Sequence, residues 1–328
     1  GWRRSVRRSR DCCSREHWVN EDATSQLTGA QGVSLGSWRS GEACVSEWRR
    51  RGTRVTVNGE SIFVIDAAAQ TETAQPPLLI LHGFPTSSID WAVIFPALNA
   101  NRRVLCIDVP GFGFSDKPDR PYSVFGHVDV IEAVLEHCGV NSFDLITHDM
   151  GDSIGGELLA RDNQERVRRR VVTNGSIYMD IARMTDEQKL LLALSDQALP
   201  PELTPDVDAV ERSLIATYAP AGAAERYIGN ASARCVILGN GGAMLPRVIR
   251  YTEERYEHER RWTGAIESHP APLSVVWGWD DPIAVNEMAE RLCAARPDAV
   301  LTRLDGVGHY PMLEAPRAVA TAVLEALA

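Results

Sequence analysis

The chain has 328 residues, of which 44% are hydrophobic, and it carries a formal net charge of −10 at pH 7. This length suffices for one large core or for a core with a smaller domain. No apolar run is long enough to cross a bilayer, so a soluble protein without a membrane span is expected. Residues 1–51 sum to +4 and the remainder to −14. Because an acidic body binds nucleic acid poorly, no nucleic-acid partner is expected.

The seven cysteines show no metal-ligand spacing, and their odd number argues against a complete set of disulfides. A reducing, cytoplasmic compartment is therefore expected. Residues 1–47 are rich in Ser, Arg and Gly and lack a steady hydrophobic period, which predicts a disordered basic head. A role of this head in targeting or binding is the alternative.

From residue 54 onward the sequence alternates strands with helices. Residues 54–57 and 61–65 flank Asn58-Gly59, a pair typical of a hairpin turn. Further strands are predicted at residues 77–81, 104–107, 143–147, 170–174, 273–277 and 300–304. Alternation of this kind predicts an α/β fold with a mostly parallel, doubly wound sheet, whose active site lies at the carboxyl ends of the strands.

The alternation is interrupted between residues 177 and 262. Helix-like segments there are separated by prolines and glycines, and strands resume afterwards. We therefore predict a helical lid at 177–262, inserted into a core formed by 48–176 and 263–328.

The end of one predicted strand carries the main chemical signal. The strand ends at Thr147, Asp149 stands on a turn closed by Gly151, and a helix follows. This strand–turn–helix layout with small residues two positions either side of the centre is typical of a nucleophile elbow. Most such elbows carry serine, so this one predicts a carboxylate nucleophile.

Two later strands end in residues that complete a catalytic set. Asp281 lies in the segment GWDDP, and His309 lies in GVGHYP after the last strand. Nucleophile, acid and histidine in this chain order predict a triad. An earlier strand ends in a turn that could aim the backbone N–H of Phe84 at an oxyanion, with the N–H of Met150 as the second donor.

From about residue 48 to the end, the chain resembles the α/β-hydrolase superfamily, and in particular its aspartate-nucleophile branch of epoxide hydrolases and haloalkane dehalogenases. The segments FGFSDKP (112–118), HDMGD (148–152) and HYP (309–311) are most similar to the mesoderm-specific transcript group and its bacterial relatives. The resemblance implies no metal or organic cofactor.

Position by position, the resemblance implies that Asp149 is the nucleophile and His309 the base. Asp281 is then the acid that orients His309. Some dehalogenases carry this acid after the strand that precedes the lid, and residues 178–180 resemble their pattern, so Asp180 is the alternative acid. Asp281 is preferred because Gly-x-x-Asp-Pro at the end of a buried strand fits the commoner arrangement.

A carboxylate nucleophile changes the reaction. An aspartate with a pKa near 3.9 is already an anion at neutral pH and needs no base to attack. Attack on an ester would give an unfavourable anhydride, so the better target is a tetrahedral carbon that bears a leaving group. The product is an alkyl ester on Asp149, and His309 is free to activate the water that hydrolyses this ester.

Epoxides and alkyl halides both fit this chemistry but need different donors. An opening epoxide needs O–H donors, normally two lid tyrosines in the epoxide hydrolases, whereas halide release needs N–H donors. Met150 and Phe84 stand where the halide donors are expected. Tyr251 precedes Asp281 by 30 residues, a spacing similar to that of the second lid tyrosine, and Tyr218 is the candidate for the first.

The sequence thus predicts a hydrolase that opens a small apolar epoxide, or a related electrophile, to a vicinal diol. Substrate size, stereochemistry and oligomeric state do not follow from the sequence. A haloalkane dehalogenase is the alternative enzyme, and a catalytically idle binding protein of the same fold is the alternative from another class.

Overall fold

The computed structural model describes residues 16–19, 34–220 and 226–328. In these ranges the strands form one nine-stranded sheet. The strands are β1 (Glu16–Val19), β2 (Thr53–Val57), β3 (Glu60–Ala67), β4 (Leu78–Leu81), β5 (Val104–Ile107), β6 (Phe143–His148), β7 (Val167–Thr173), β8 (Leu273–Gly278) and β9 (Val300–Leu304).

The sheet is parallel except at one edge. Its strand order is β1-β9-β8-β7-β6-β4-β5-β3-β2, and only the pairs β2–β3 and β3–β5 are antiparallel. Every residue of β4, β5 and β6 is buried, as expected for central strands that are covered by helices on both faces. The predicted doubly wound, mostly parallel sheet is confirmed.

The helices pack around this sheet. They are α1 (Gly41–Arg51), α2 (Phe95–Leu98), α3 (Val124–His137), α4 (Met150–Arg161), α5 (Asp186–Ala193), α6 (Val207–Ile215), α7 (Arg226–Ile237), α8 (Gly241–Val248), α9 (Tyr251–Ser268), α10 (Asn286–Ala295), α11 (Pro311–Glu314) and α12 (Pro316–Ala326). None of the helices in the described ranges combines the length and the apolar composition needed to cross a bilayer.

Helices α5 to α9 lie between β7 and β8, and we call residues 174–272 the helical insertion. Within it, α8 and α9 meet at Ile249 and Arg250. That the insertion acts as a lid stays a prediction.

The head differs from the expectation where the structure describes it. Helix α1 begins at Gly41 and buries Cys44 and Trp48 completely, so the predicted boundary at residue 47 is too late. Most residues of α1 are polar, so its few apolar residues do not form a clear helical period in the sequence. The strand β1 also falls inside the head and pairs with β9. Within the predicted disordered head, residues 1–15 and 20–33 lie outside the described residues.

The order of the strands places the ends of β6, β7, β8 and β9 side by side. All four are parallel, so their carboxyl ends share one edge of the sheet. Asp149 follows β6, Asn174 follows β7, Asp281 lies just beyond β8 and His309 just beyond β9. The fold therefore brings residues that are far apart in the chain to a single edge.

Candidate active site

Asp149 stands on a sharp turn between β6 and α4. Its backbone has φ 54° and ψ −116°, a conformation that favours glycine and costs an aspartate about 1–3 kcal/mol. Two glycines make the turn possible. A Cβ on Gly151 would lie 2.6 Å from the carbonyl oxygen of Leu81, and a Cβ on Gly83 would lie 2.6 Å from the Cβ of Asp149. The elbow therefore depends on close backbone approach at both positions.

The two carboxylate oxygens of Asp149 have different neighbours. Oδ1 accepts a hydrogen bond of 2.6 Å from the backbone N–H of Phe84, and Oδ2 lies 3.5 Å from Nε2 of His309. Burial by itself would raise the pKa of Asp149, but the contact with His309, the nearby imidazole of His148 and the Phe84 N–H lower it below its ordinary value. The carboxylate is thus an anion at neutral pH.

His309 links Asp149 to a second carboxylate. Its Nδ1 lies 2.8 Å from Oδ2 of Asp281. Burial by itself would lower the pKa of His309, but the charges of Asp281 and Asp149 raise it well above its ordinary value. The imidazole therefore stays protonated at neutral pH while both of these carboxylates are charged.

The carboxylate of Asp281 is fixed by several donors. Its Oδ1 accepts the backbone N–H groups of Ile283 at 2.7 Å and Ala284 at 3.0 Å. Its Oδ2 accepts the side-chain amide of Asn174 at 2.8 Å in addition to His309. Both oxygens of a buried carboxylate are thereby satisfied, which holds the group in one orientation.

Asn174 is a residue that sequence reasoning missed. It follows β7 with φ 44°, a conformation that asparagine tolerates better than most residues. Its Oδ1 accepts the N–H of Gly278 at 2.8 Å, and its Nδ2 also donates to the carbonyl of Gly278 at 3.1 Å. Asn174 thus ties the ends of β7 and β8 together beneath Asp281. A polar residue at the predicted end of a strand was the only signal for it.

His148 supports His309 from the other side. Its Nε2 lies 2.8 Å from the carbonyl oxygen of His309. Burial, aided by the charge of His309, lowers the pKa of His148 to about 4, so this ring is neutral at neutral pH. A neutral ring can donate one N–H to the carbonyl, which is a structural role.

Two further predicted site residues, Met150 and Tyr251, lie near Asp149. Met150 is buried and is the first residue of α4, so its backbone N–H has no acceptor within the helix and lies next to Asp149. Tyr251 is the first residue of α9 and lines a small cavity together with Asp149. Its ring packs against that of Phe84, with centroids 5.8 Å apart.

Two predicted residues are not brought to the site. The hydroxyl of Tyr218 faces Gly229 of α7 and makes no hydrogen bond to any described residue. Burial, together with the charges of Asp90 and Glu314, raises its pKa. The assignment of Tyr218 as a donor is therefore corrected, because Tyr218 does not line the cavity that holds Asp149 and Tyr251 and its hydroxyl lies against α7.

The alternative acid Asp180 lies at the surface. Its side chain is 62% exposed and pairs with Arg291 at 2.7 Å. It makes no contact with His309, and the geometry leaves Asp281 as the acid partner of that histidine.

Two adjoining cavities open at the triad. The larger has a volume of about 460 Å³ and is lined by Phe84, His309 and Tyr310 and by mostly apolar side chains of the helical insertion. The smaller has a volume of about 20 Å³ and is lined by Asp149, Tyr251 and several insertion residues. Gln188 and Ile283 line both. An apolar space and a space of roughly one heavy atom therefore meet beside the carboxylate.

Comparison with known proteins bears on the fold and the family. The family model for the alpha/beta hydrolase fold matches residues 76–316. The protein LipZ of Mycobacterium tuberculosis is 35% identical over 291 residues, which make up 86% of this chain and 98% of LipZ. The mesoderm-specific transcript protein of Mus musculus is 34% identical over 285 residues, which make up 82% of this chain and 83% of that protein.

Two further comparisons show less: one relative matches over a short stretch, and one solved structure is similar in fold. A haloalkane dehalogenase of Mycolicibacterium paratuberculosis is 42% identical, but over 103 residues, which make up 30% of this chain and 34% of the dehalogenase. The crystal structure of an alpha/beta hydrolase fold protein from Burkholderia ambifaria matches with a TM-score of 0.69 at 22% identity and covers 83% of this chain and 97% of that chain. This last likeness concerns the fold alone. The resemblance that the sequence motifs predicted is confirmed.

Proposed function

The chain belongs to the α/β-hydrolase superfamily and is a hydrolase of that superfamily, and we propose that Asp149 is its nucleophile and that it opens epoxides to vicinal diols. One observation carries the proposal. The buried carboxylate at the apex of the elbow receives the Phe84 N–H on one oxygen and faces His309 with the other. An anion held in this way is ready to attack without a base.

The first step is substitution at carbon. A carboxylate oxygen of Asp149 attacks an epoxide carbon, the ring C–O bond breaks, and its electron pair stays on the ring oxygen. Asp149 then carries an alkyl ester. Because the nucleophile is already ionised, His309 takes no part in this step.

The second step is hydrolysis of the ester on Asp149. His309 takes a proton from water, and the hydroxide adds to the carbonyl carbon of Asp149. The backbone N–H groups of Phe84 and Met150 are the donors for the oxyanion that forms. Collapse of this intermediate releases the alkoxide, which takes the proton from His309 and leaves as the diol.

The charge balance of the site couples the two steps. While Asp149 is charged, it contributes to the raised pKa of His309. Esterification of Asp149 removes that charge, so the pKa of His309 falls and the ring releases its proton to solvent; it takes a proton up from solvent again once the carboxylate of Asp149 is restored. The base thus becomes available only after the ester has formed, which is when it is needed.

The cavity limits the class of substrate. Seven leucines and one valine from the insertion, among them Leu191, Val210 and Leu214, line most of the 460 Å³ space. A carboxylate surrounded in this way suits a small apolar electrophile. In this proposal the helical insertion acts as the lid that walls the cavity and excludes water.

A donor for the epoxide oxygen supports the choice of reaction. Tyr251 lines the small cavity with Asp149. Burial and the charge of Asp149 raise the phenol pKa. A phenol keeps its proton at neutral pH and can donate it to a departing oxygen.

Dehalogenation is the second candidate. It is favoured by the partial similarity to a haloalkane dehalogenase. The first step would be the same, with a carbon–halogen bond broken in place of the ring C–O bond. The residues at the two positions where halide donors are expected, Met150 and Phe84, carry no side-chain N–H.

The experiment compares two products made by the purified protein. Diol formation from styrene oxide and bromide release from 1-bromobutane are measured for the wild-type chain and for Asp149→Ala. We expect diol from the wild type and none above background from the variant. Bromide release without diol would reject the epoxide assignment, and equal activity of the variant would reject Asp149 as nucleophile.

A further inference from the structure

A buried arginine lies beside the nucleophile and has no role in the mechanism above. Arg255 of α9 is 1% exposed and lines the small cavity together with Asp149 and Tyr251. Its position four residues after Tyr251 puts both side chains on the same face of the helix. The cavity, at about 20 Å³, has room for one water-sized group.

The hydrogen bonds of Arg255 leave part of its guanidinium free. Nε donates to the carbonyl of Ser176 at 3.0 Å, and Nη2 donates to the carbonyl of Ile177 and to the hydroxyl of Thr263. All three acceptors are neutral. Nη1 is buried and makes no hydrogen bond to any residue that the structure describes. A buried cationic donor without a partner is costly, so a ligand that supplies one is expected.

We propose that Arg255 and Tyr251 form a leaving-group pocket, in which the guanidinium and the phenol together receive the anion that departs when Asp149 attacks. The proposal rests on the function proposed above and names a residue for its first step. The pocket receives one negatively charged atom, which is either the alkoxide oxygen of an opened epoxide or a halide ion.

The charges around the pocket fit an anion. Burial lowers the pKa of Arg255 to about 10, so it remains a cation at neutral pH. The charges of Asp152 and Glu259 favour the cation, but neither carboxylate hydrogen-bonds Nη1. This N–H group is therefore available to an anionic group that enters the cavity.

Arg255 also affects the acidity of the Tyr251 phenol. Burial and the charge of Asp149 make the Tyr251 phenol a weaker acid, and the charge of Arg255 opposes them. When the ring oxygen of an epoxide departs, it takes the phenolic proton, and the phenolate left behind is stabilised by the guanidinium. The proton returns from the carboxylic acid of Asp149 after the ester is hydrolysed. For a halide no proton is transferred, and the halide is held by N–H and O–H donors until release.

The test isolates the first step. In a His309→Gln background, the ester on Asp149 is not hydrolysed, and its rate of formation is followed by intact-protein mass. Substrates are 1-chlorobutane, 1-bromobutane and 1-iodobutane in one arm and styrene oxides with graded ring substituents in the other. Arg255→Met is compared with the parent. We expect alkylation to slow by about 10²-fold and to depend more steeply on the leaving group.

A matched control separates this role from packing. Arg170 is also 1% exposed, and its guanidinium donates to the carbonyls of Ile266, His269 and Ala271. Arg170→Met in the same background is expected to lower the melting temperature while leaving the alkylation rate and its leaving-group dependence within about twofold of the parent.

The outcomes distinguish the two proposals. If the His309→Gln parent forms no ester with any substrate, the proposed function fails. If the parent forms the ester and Arg255→Met forms it equally fast with the same leaving-group dependence, the leaving-group pocket is wrong. Should Arg255→Met not fold, Arg255→Lys decides. Retention of the cation predicts a rate within about tenfold of the parent, whereas a loss of about 10²-fold with unchanged leaving-group dependence would show that the arginine is only structural.

Discussion

Nε2 of His309 lies 3.5 Å from a carboxylate oxygen of Asp149, while Nδ1 of the same ring lies 2.8 Å from Asp281. One imidazole thus stands between two carboxylates, and each raises its pKa. In the proposed mechanism only Asp149 loses its charge, because it forms the ester. This asymmetry gives the two acids separate roles.

Asp281→Asn tests the acid that holds His309. The amide cannot stabilise the imidazolium or fix its tautomer, so ester hydrolysis should slow by on the order of 10²–10⁴-fold while ester formation continues. Mass analysis during turnover should therefore show accumulated ester. The control is Asp180→Asn, which removes an exposed partner of Arg291 and should leave turnover unchanged. A similar loss in the Asp180 variant would restore that residue as the acid.

Asn174→Ala tests the amide beneath Asp281. Loss of its hydrogen bonds should lower the free energy of unfolding by about 1–3 kcal/mol and reduce kcat by roughly tenfold, because Asp281 loses a donor that orients it. Asn99 is the matched control, since its amide donates to three backbone carbonyls away from the site. Asn99→Ala should lose stability and keep its kcat. Equal kcat losses in both variants would mean that Asn174 acts through stability alone.

Tyr251→Phe and Tyr218→Phe form a second matched pair. Removal of the Tyr251 hydroxyl should slow epoxide opening by about 10²-fold, because the departing oxygen loses its proton donor. Removal of the Tyr218 hydroxyl deletes a buried group that has no hydrogen-bond partner among the described residues. Activity should be unchanged and stability equal or higher. Single-turnover rates and thermal melts check both, and impairment of the Tyr218 variant alone would reverse the assignment.

Asp152→Asn tests the pH dependence of stability. Burial raises the pKa of Asp152 to about 8 in the folded chain, whereas the unfolded carboxyl titrates near 3.9. Between these values the unfolded state binds fewer protons, so this residue makes the free energy of unfolding fall by about 1.4 kcal/mol per pH unit as pH rises. The variant lacks that slope. Urea unfolding of both chains should show the free energy of unfolding of the variant rising relative to that of the wild type from pH 5 to 8. A difference between the two free energies that does not change with pH would contradict the buried neutral carboxyl.

The sequence predicted best those features of the site that depend on residues close together in the chain. The elbow at Asp149 needs glycine two residues later, because Gly151 meets the backbone of β4, and that requirement is visible in the spacing alone. The positions of Asp281 and His309 at strand ends followed from the alternation of strands and helices. These features could be predicted because each is set within a few residues.

Features set by packing between distant segments could not be predicted. Asn174 looks like an ordinary turn residue until the neighbouring strands show that it bridges to Gly278 and Asp281. In the sequence Tyr251 was the candidate second lid donor and Tyr218 the candidate first, and only the packing of the insertion shows that Tyr251 shares a cavity with Asp149 while the hydroxyl of Tyr218 lies against Gly229. Helix α1 was missed because its two fully buried side chains stand among charged residues.

The most direct test of Asp149 as nucleophile is a single turnover in water enriched in ¹⁸O, with protein in excess over styrene oxide. The ester mechanism has water attack the carboxyl carbon of Asp149, so one ¹⁸O should appear in the peptide that contains Asp149, and the first diol should carry unlabelled oxygen from the protein. If the diol carries ¹⁸O and the peptide stays unlabelled, water attacks the substrate directly, and the assignment of Asp149 as nucleophile is wrong.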